Sequence, residues 1–461
     1  MNTISKRAAG ARTTVGQRLS YGLYFFGQGL IYTLVSQYLM YYYTDYALLP
    51  PLVVSALLFG GKVWDAINDT LFGLVVDKVR FKNGERFLPW LRISTVLIPL
   101  STIALFSFEK VTSMPLRVAL AIFTYFLWDS AYTLCDAPIL GLCTTLTDNV
   151  KERGTLMTFS GVGGAVSMML CAIVLVPILD ASGFLKATVI IAAVSFVTMS
   201  GVSVFCREKY HAQAAQKQEA SLRDTWTYLK GNRYLRLFYG YRVVSGILSV
   251  SLLTFMCKYC LGDVTAVAQI ALYSIPMVLC LYLAAPALMK HFDKIVLYRV
   301  CSCLGIVMYA LTFSLGYANK TRTIFCMSVI AALAILPSIM MGAIPQDCVE
   351  YGTFKTGVRK EGITFALQSF VNKLNAAFAA GLTGIVLELI GYVGDLEVQS
   401  PATTQGIWSC MFLIPLAGQI LALGLLFRYD LRDRDVQLMS DANSGKCTKE
   451  EALARMSRTY R

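Results

Sequence analysis

The chain has 461 residues, of which 56% are apolar and only 15% are charged, and its formal net charge at pH 7 is +13. Soluble domains rarely combine so many apolar side chains with so few charges. This composition excludes a soluble enzyme, a disordered chain and a nucleic-acid-binding protein, and it places the chain among membrane proteins.

Twelve apolar runs follow a polar, basic segment of eighteen residues. The first run is too long for the core of a signal peptide, so we expect no cleavage there. The runs extend over residues 19–43, 52–76, 91–108, 116–146, 155–180, 184–206, 236–260, 264–289, 295–317, 322–346, 363–393 and 402–428. The pattern predicts an all-α membrane protein with twelve transmembrane helices.

The longest charged stretch between runs divides the helices into two groups of six. The predicted parts are an N-terminal six-helix bundle at 1–206, a central cytoplasmic loop at 207–235, a C-terminal six-helix bundle at 236–428 and a cytoplasmic tail at 429–461. Asp-Lys recurs after the second and eighth runs, which is a faint internal repeat. Repeated halves with a binding site between them are typical of secondary transporters.

The distribution of basic residues predicts the topology. Of the 41 Lys and Arg residues, 32 lie in the termini and in alternate loops, whereas the opposite loops hold six. Basic residues near helix ends resist translocation, so we expect a multi-pass protein of the cell membrane with both termini cytoplasmic. Three basic residues, Lys62, Arg242 and Lys373, lie inside runs and away from the run ends, and Arg242 is expected to snorkel to the cytoplasmic surface.

Acidic residues inside the second run are costly in hydrocarbon and therefore informative. Asp65 and Asp69 are four residues apart, so they share one helix face with Asn68 beside them. Two neighbouring carboxylates repel each other unless a cation or proton lies between them. These oxygens suit a hard monovalent cation; the alternative is a salt bridge to Lys62 or Lys373 on the same or another helix.

The fourth run has Asp129, Thr133 and Asp136 along one helix face, with Tyr132 beside them. Thr133 is a candidate to complete the oxygen shell of the cation, and Asp136 and Tyr132 are candidates to bind a polyhydroxyl solute. The alternative for this group is hydrogen bonding between helices alone. Lys373, in the eleventh run, is a candidate counter-charge, either structural or facing the substrate.

Four segments together resemble the glycoside-pentoside-hexuronide:cation symporters, the branch of the major facilitator superfamily that contains the melibiose permease. They cover nearly the whole chain in the order expected for the family. They read SYGLYFFGQGLIYTLVSQYLMYYYTD (20–45), WDAINDTLFGLVVDKVRFKNGERFLPW (64–90), LWDSAYTLCDAP (127–138) and QDCVEYGTFKTGVRKEGITFALQSFVNK (346–373).

The resemblance implies a major facilitator fold of two pseudo-symmetric six-helix bundles, with alternating access and coupling to sodium, lithium or protons. No cofactor is implied beyond the coupling cation, Na⁺ or H⁺. The family's positions that bind this monovalent cation match Asp65, Asn68, Asp69 and Thr133. Its sugar-binding Asp matches Asp136, and its eleventh-helix Lys matches Lys373.

The chain departs from the family pattern at positions that bind the sugar in the family. The first-helix carboxylate is replaced by Gly29, the neighbouring Lys by Gln28, the fifth-helix Arg by Gly161 and the fourth-helix Trp by Leu140. A galactoside is therefore not implied, and a pocket enlarged at the two glycines and Leu140 is one hypothesis. Asp129 stands where the family usually has Gly and is a candidate replacement acceptor; Gln28 is a further candidate for substrate binding.

Charged loop residues are candidates for a cytoplasmic gate. Asp77 and Arg86 follow the second run, whereas Asp347, Glu350 and Arg359 follow the tenth. Ion pairs among them are predicted to close the cytoplasmic side. The alternative is that they are ordinary solvated charges.

These features predict a monomeric symporter that couples a monovalent cation, sodium or proton, to a sugar such as a glycoside, oligosaccharide or hexuronide. No nucleophile–base pair or phosphate loop points to an enzyme. The alternatives are a transporter of an amphiphilic solute, either a lipid or a drug, and a membrane sensor that does not transport.

Overall fold

The computed structural model describes residues 13–79, 81, 84–147, 150–208, 222–394 and 396–457, and every regular element within them is helical. The prediction of an all-α fold is confirmed. The chain divides into two compact units. Unit 1 comprises Met1–Lys217, Cys257–Ala268 and Leu387–Ser400, and unit 2 comprises Gln218–Met256, Gln269–Val386 and Pro401–Arg461.

Seven helices form the N-terminal part of unit 1. They are α1 (Val15–Tyr41), α2 (Pro51–Lys78), α3 (Leu88–Leu105), α4 (Met114–Leu146), α5 (Val150–Leu170), α6 (Val176–Ser182) and α7 (Phe184–Phe205). A π-helical turn at Cys171–Leu175 joins α5 to α6, so these two elements form one continuous helix. Helix α1 packs on α5 and α7, and α4 packs on α2 and α3.

Glycines set the close approach of α1 to α5. A Cβ atom on Gly163 would lie 2.2 Å from the backbone oxygen of Gly22, and one on Gly29 would lie 2.1 Å from Oγ of Ser167. Only hydrogen fits at such distances, and small residues are the usual means of bringing membrane helices together. The spacing of α1 and α5 is therefore encoded by residues that lack side chains.

The later helices begin with α8 in the central segment. They are α8 (Leu222–Gly231), α9 (Arg233–Ile247), α10 (Leu253–Phe255), α11 (Ala266–His291), α12 (Lys294–Leu315), α13 (Lys320–Leu333), α14 (Ile335–Thr356), α15 (Glu361–Leu389), α16 (Pro401–Phe427), α17 (Asp433–Asn443) and α18 (Lys449–Arg455). Helix α16 packs on α9 and α12, and α17 packs on α14.

The predicted seventh run is interrupted in the structure. Helix α9 ends at Ile247 and helical structure resumes at Leu253. Within the gap, the Ser249 hydroxyl donates to the carbonyl of Gly246 at 2.6 Å, and the amide of Ser251 donates to Oγ1 of Thr383 at 2.8 Å. The local bond of Ser249 competes with helix formation, and the bond of Ser251 to Thr383 of α15 holds the non-helical segment, so the two together account for the break.

Nine helices within the described ranges are long and apolar enough to cross a membrane. The predicted spans outside this set correspond to α1, α2 and α9. Helix α9 has only 15 residues, and α2 carries Lys62, Asp65 and Asp69 near its middle. The multi-pass architecture is supported, whereas the count of twelve spans stays a prediction.

Candidate functional site

Three polar side chains of α2 and α4 form a continuous hydrogen-bonded chain. Asn68 Nδ2 donates to Oγ1 of Thr133 at 3.0 Å, and the Thr133 hydroxyl lies 3.1 Å from Oδ1 of Asp69. Thr133 is 4% exposed and also lies 3.1 Å from the carbonyl of Asp129, one turn earlier in α4. The structure thus brings together three of the four residues predicted to bind a cation.

The fourth predicted ligand, Asp65, lies one turn before Asp69 on α2. Asp65 and Asp129 both interact electrostatically with Lys62, which is half-buried on the same helix. Both interpretations of Asp65, as a cation ligand and as a partner of Lys62, stay predictions. The Asp69 carboxylate, the Asn68 amide and the Thr133 hydroxyl form a polar cluster separate from Lys62.

Gln28 and Asp136 form a second polar pair beside this cluster. Gln28, 5% exposed, donates through Nε2 to Oδ1 of Asp136 at 2.7 Å, whereas Asp136 itself is exposed. Aromatic rings border the pair: Tyr132 lies 5.7 Å from Tyr32 and 5.2 Å from Trp128 between ring centroids. An exposed carboxylate flanked by an amide and aromatic rings is a suitable acceptor for sugar hydroxyls.

The glycine positions that depart from the family pattern have different surroundings. Gly161 has no heavy atom within 4 Å of an added Cβ, and Leu140 is 52% exposed, so both leave room. Gly29 does not, because Ser167 of α5 fills the space beside it. The contact with Ser167 makes Gly29 part of the α1–α5 packing, and the pocket enlarged at Gly29 stays a prediction.

Lys373 belongs to unit 2, where it lies half-buried on α15. Its neighbour Asn372 accepts a hydrogen bond from the guanidinium of Arg242 at 2.9 Å. The predicted role of Lys373 as counter-charge or substrate ligand stays a prediction.

The predicted cytoplasmic gate residues of unit 2 form ion pairs. Arg359 bonds to Glu350 at 2.7 Å and to Glu361 at 2.6 Å, and the hydrogen bonds to Glu361 and Glu350 raise the pKa of the arginine above its usual value. Asp347 pairs with Lys294 at 2.9 Å. The cluster lines a cavity of about 540 Å³. These contacts supply the charges that a gate needs, and the gating role stays a prediction.

The gate candidates of unit 1 are only partly described. The amide of Arg86 donates to Glu208 at 3.1 Å, and its guanidinium lies 5.0 Å from the ring centroid of Phe87. The side chain of Asp77 lies outside the described residues. A pair between Asp77 and Arg86 therefore stays a prediction.

A buried carboxylate that the sequence analysis did not select lies at the end of α1. Asp45, with 1% of its side chain exposed, bonds to Nζ of Lys258 at 2.7 Å. It also accepts the hydroxyls of Tyr259 and Tyr392 at 2.5 Å each. All four residues belong to unit 1, although Lys258, Tyr259 and Tyr392 lie more than 200 positions after Asp45 in the chain. The sequence signal that could have identified Asp45 is its position as an acidic residue at the end of an apolar, tyrosine-rich run.

Within the described residues, no group of three His, Cys, Asp or Glu side chains is arranged to hold a metal ion. The oxygen cluster at Asp69 has one carboxylate, one hydroxyl and one amide. Neutral oxygens with a single charge suit a monovalent ion better than a polyvalent one.

Comparison with known proteins gives matches along nearly the whole chain. A family described as MFS/sugar transport protein matches residues 20–433. The chain is 25% identical over 449 residues to a putative sulfoquinovose importer of Escherichia coli (strain K12), a match covering 95% of each chain. It is 27% identical over 454 residues to the isoprimeverose transporter of Lactiplantibacillus pentosus, covering 95% of this chain and 93% of the relative.

Among solved structures, the nucleoside transporter NupG matches with a TM-score of 0.64. The match covers 90% of this chain and all of the other, at 13% sequence identity. At this identity the likeness concerns the fold alone, which is that of the major facilitator superfamily.

Proposed function

Because the chain belongs to the MFS/sugar transport family, in its glycoside-pentoside-hexuronide:cation symporter branch, we propose that it is a symporter coupling a monovalent cation to sugar uptake across the cytoplasmic membrane. The family and the relatives are transporters, so the expectation that the chain is not an enzyme is confirmed. The fold class and the membership predicted from the sequence are confirmed as well.

The observation that carries the coupling proposal is the Asn68–Thr133–Asp69 chain between α2 and α4. It brings the Asn68 amide nitrogen, the Thr133 hydroxyl and the Asp69 carboxylate within two hydrogen bonds of each other, and the hydroxyl and the carboxylate supply oxygens for a cation. A bound sodium ion or proton at Asp69 offsets a negative charge that is otherwise costly in the membrane. Asp65, interacting with Lys62, is the further cation ligand of the proposal.

Gln28, Tyr132, Asp129 and Asp136 are proposed as the sugar-facing residues of unit 1. Asp136 lies one helical turn beyond Thr133 on α4, so occupancy of the cation cluster and occupancy of the sugar acceptor affect the same helix. Cation and sugar then raise each other's affinity by the same factor, which is thermodynamic linkage. The carrier is proposed to act as a monomer in the bilayer, with both termini cytoplasmic.

The test is uptake of labelled sugars into proteoliposomes containing the purified protein. The panel includes isoprimeverose, sulfoquinovose and methyl glucosides, each with and without an inward sodium or proton gradient. At 100 mV, each charge entering contributes about 2.3 kcal/mol, so an electrogenic symporter accumulates sugar up to about fifty-fold. Asp69→Asn should lower gradient-stimulated uptake by about tenfold or more, because a charged cation ligand is lost.

Glu450→Gln is the control, because it removes an exposed carboxylate of α18 in the tail. This variant should transport like the parent. Gradient-independent uptake, or equal loss in the two variants, would contradict cation coupling at Asp69. Uptake of lipids or amphiphilic drugs in place of every sugar would favour the alternative substrate class, and absence of any transport would favour a sensor.

A further inference from the structure

Arg242 of α9 is half-buried in unit 2. Its guanidinium contacts Sδ of Met341 on α14 and donates from Nη2 to Oδ1 of Asn372 on α15 at 2.9 Å. Met341 lies 15 residues before the end of α14, and Asn372 lies 11 residues after the start of α15. At 1.5 Å per residue, Met341 lies about 14 Å from Glu350 along α14, and Asn372 lies about 16 Å from the start of α15. The expectation that Arg242 snorkels to the cytoplasmic surface stays a prediction.

The side chains that contact this guanidinium, those of Met341, Asn372 and Tyr298, carry no charge. Within the described residues, no carboxylate lies in salt-bridge distance of Arg242, although other basic side chains of unit 2, such as Lys294 and Arg359, have acidic partners. An arginine remains charged in proteins and has five donor hydrogens. A half-buried charge without an acidic partner can be compensated by a ligand of opposite charge, so the arrangement favours an anionic ligand.

A cavity of about 350 Å³ adjoins Arg242 and has polar side chains in its wall. The Tyr241 hydroxyl donates to Oε1 of Gln419 at 3.0 Å and lies 3.2 Å from Oγ of Ser302. This volume lies in the range of small-molecule sites, which is about 300–1,000 Å³. The cavity combines one positive charge with hydroxyl and amide groups.

Helix α15 adds acceptors on the other side of Arg242. Gln368, Asn372 and Asn375 are spaced by four and three residues, so they share one face of the helix. Gln368 Nε2 donates to the carbonyl of Met341 at 3.3 Å, and Asn375 Nδ2 donates to the carbonyl of Arg242 at 3.0 Å. The side-chain oxygens of Gln368 and Asn375 are buried and accept no hydrogen bond from the described residues.

We propose that Arg242 is a specificity residue that binds the acid group of an anionic sugar, a carboxylate or a sulfonate, in the cavity that adjoins it. The inference rests on the proposed function and narrows its substrate class. It is independent of the family comparison, because the relatives reported above are named for both an anionic sugar, sulfoquinovose, and a neutral one, isoprimeverose. A planar guanidinium offers two parallel hydrogen bonds to such an acid group.

The test compares methyl β-glucuronide with methyl β-glucoside. The two differ only at the sixth carbon, where the glucuronide has a carboxylate and the glucoside has a hydroxymethyl group. Binding to the purified protein is measured by calorimetry, and uptake is measured in proteoliposomes. The parent should bind the glucuronide more tightly. Arg242→Gln should weaken glucuronide binding by tenfold or more and change glucoside binding less than twofold, and Arg242→Lys should recover part of the loss because the charge remains.

Arg236→Gln is the matched control, because it removes a positive charge from the same helix where the side chain bonds only to backbone carbonyls, among them that of Leu229. It should change the binding of neither sugar. Equal loss of both sugars in Arg242→Gln, with no recovery in Arg242→Lys, would assign Arg242 to helix packing and overturn the proposal.

Stronger binding of the glucoside by the parent would also overturn it, while coupled uptake of that neutral sugar would leave the proposed symport intact. Glucuronide binding without any uptake would have the opposite meaning: the anion site would stand and the proposed transport would fail.

Discussion

Gly161 and Gly163 are two residues apart on α5 but have different surroundings. A Cβ atom on Gly163 would meet the backbone oxygen of Gly22, whereas a Cβ atom on Gly161 would have no neighbour within 4 Å. A backbone oxygen cannot rotate away, so the helices would have to separate. The glycine that departs from the family's arginine position is thus free of packing constraints, and its neighbour is not.

Gly163→Ala should therefore destabilise the protein, and Gly161→Ala should not. Overpacking costs about 1–3 kcal/mol, which exceeds the gain of roughly 0.5–1 kcal/mol from replacing a helical glycine by alanine. Gly161→Ala gains the stability of a helical alanine without the cost of overpacking. Thermal unfolding of both variants in the same detergent measures the difference, and equal melting temperatures would contradict the close approach of α1 to α5.

Helix α17 shows how a short amphipathic element is held on unit 2. Asp435 is fully buried and accepts the amide of Ser457 at 2.9 Å and its hydroxyl at 2.5 Å. Asn443, at the other end of α17, donates to Oε2 of Glu350 at 2.8 Å. The predicted cytoplasmic tail is thus packed against α14 through the same glutamate that pairs with Arg359.

Asp435→Asn should loosen this tail without unfolding the bundle helices. Hydrogen bonds to a charged group contribute about 1.5–3 kcal/mol each, so amide exchange in residues 433–457 should accelerate by about tenfold or more. Asp441→Asn is the control, because its carboxylate bonds to the exposed Lys446. Unchanged exchange in the tail, or faster exchange throughout α12 and α14, would contradict the assigned role of Asp435.

Unit 1 is assembled from three separate stretches of the chain, and Asp45 joins them. Its carboxylate bonds to Lys258 in the second stretch and to Tyr392 in the third. The chain must therefore return to α1 twice, after residues 256 and 386. The Asp45 carboxylate thus ties both returning stretches to the residues that follow α1.

Asp45→Asn and Lys258→Gln should each lower the melting temperature, because removing one partner of a buried ion pair costs on the order of 3 kcal/mol. The double variant should lose less than the sum of the single losses, since the pair acts as a unit. Lys110→Gln, at an exposed position in a nearby loop, should change little. Additive losses in the double variant would show that the two side chains are not coupled.

The helices and the candidate residues of the Asp69 cluster could be predicted from local information. Apolar runs reveal helices because each must be long enough for the bilayer, and the spacing of Asp65, Asn68 and Asp69 places them on one face of α2. Family membership was likewise evident, because its motifs are contiguous stretches of sequence. The break between α9 and α10 was not predicted, since it depends on Thr383, a partner far along the chain.

Contacts between distant residues were decided by the tertiary structure. The pairs Asp45–Lys258, Lys294–Asp347 and Arg242–Asn372 join positions 213, 53 and 130 residues apart. A single sequence carries no periodicity that links such positions, so Lys258 was assigned only to a loop and Arg242 to the membrane surface. Packing determines which charges are compensated and which remain available to a ligand, because compensation depends on distances of a few ångströms between helices.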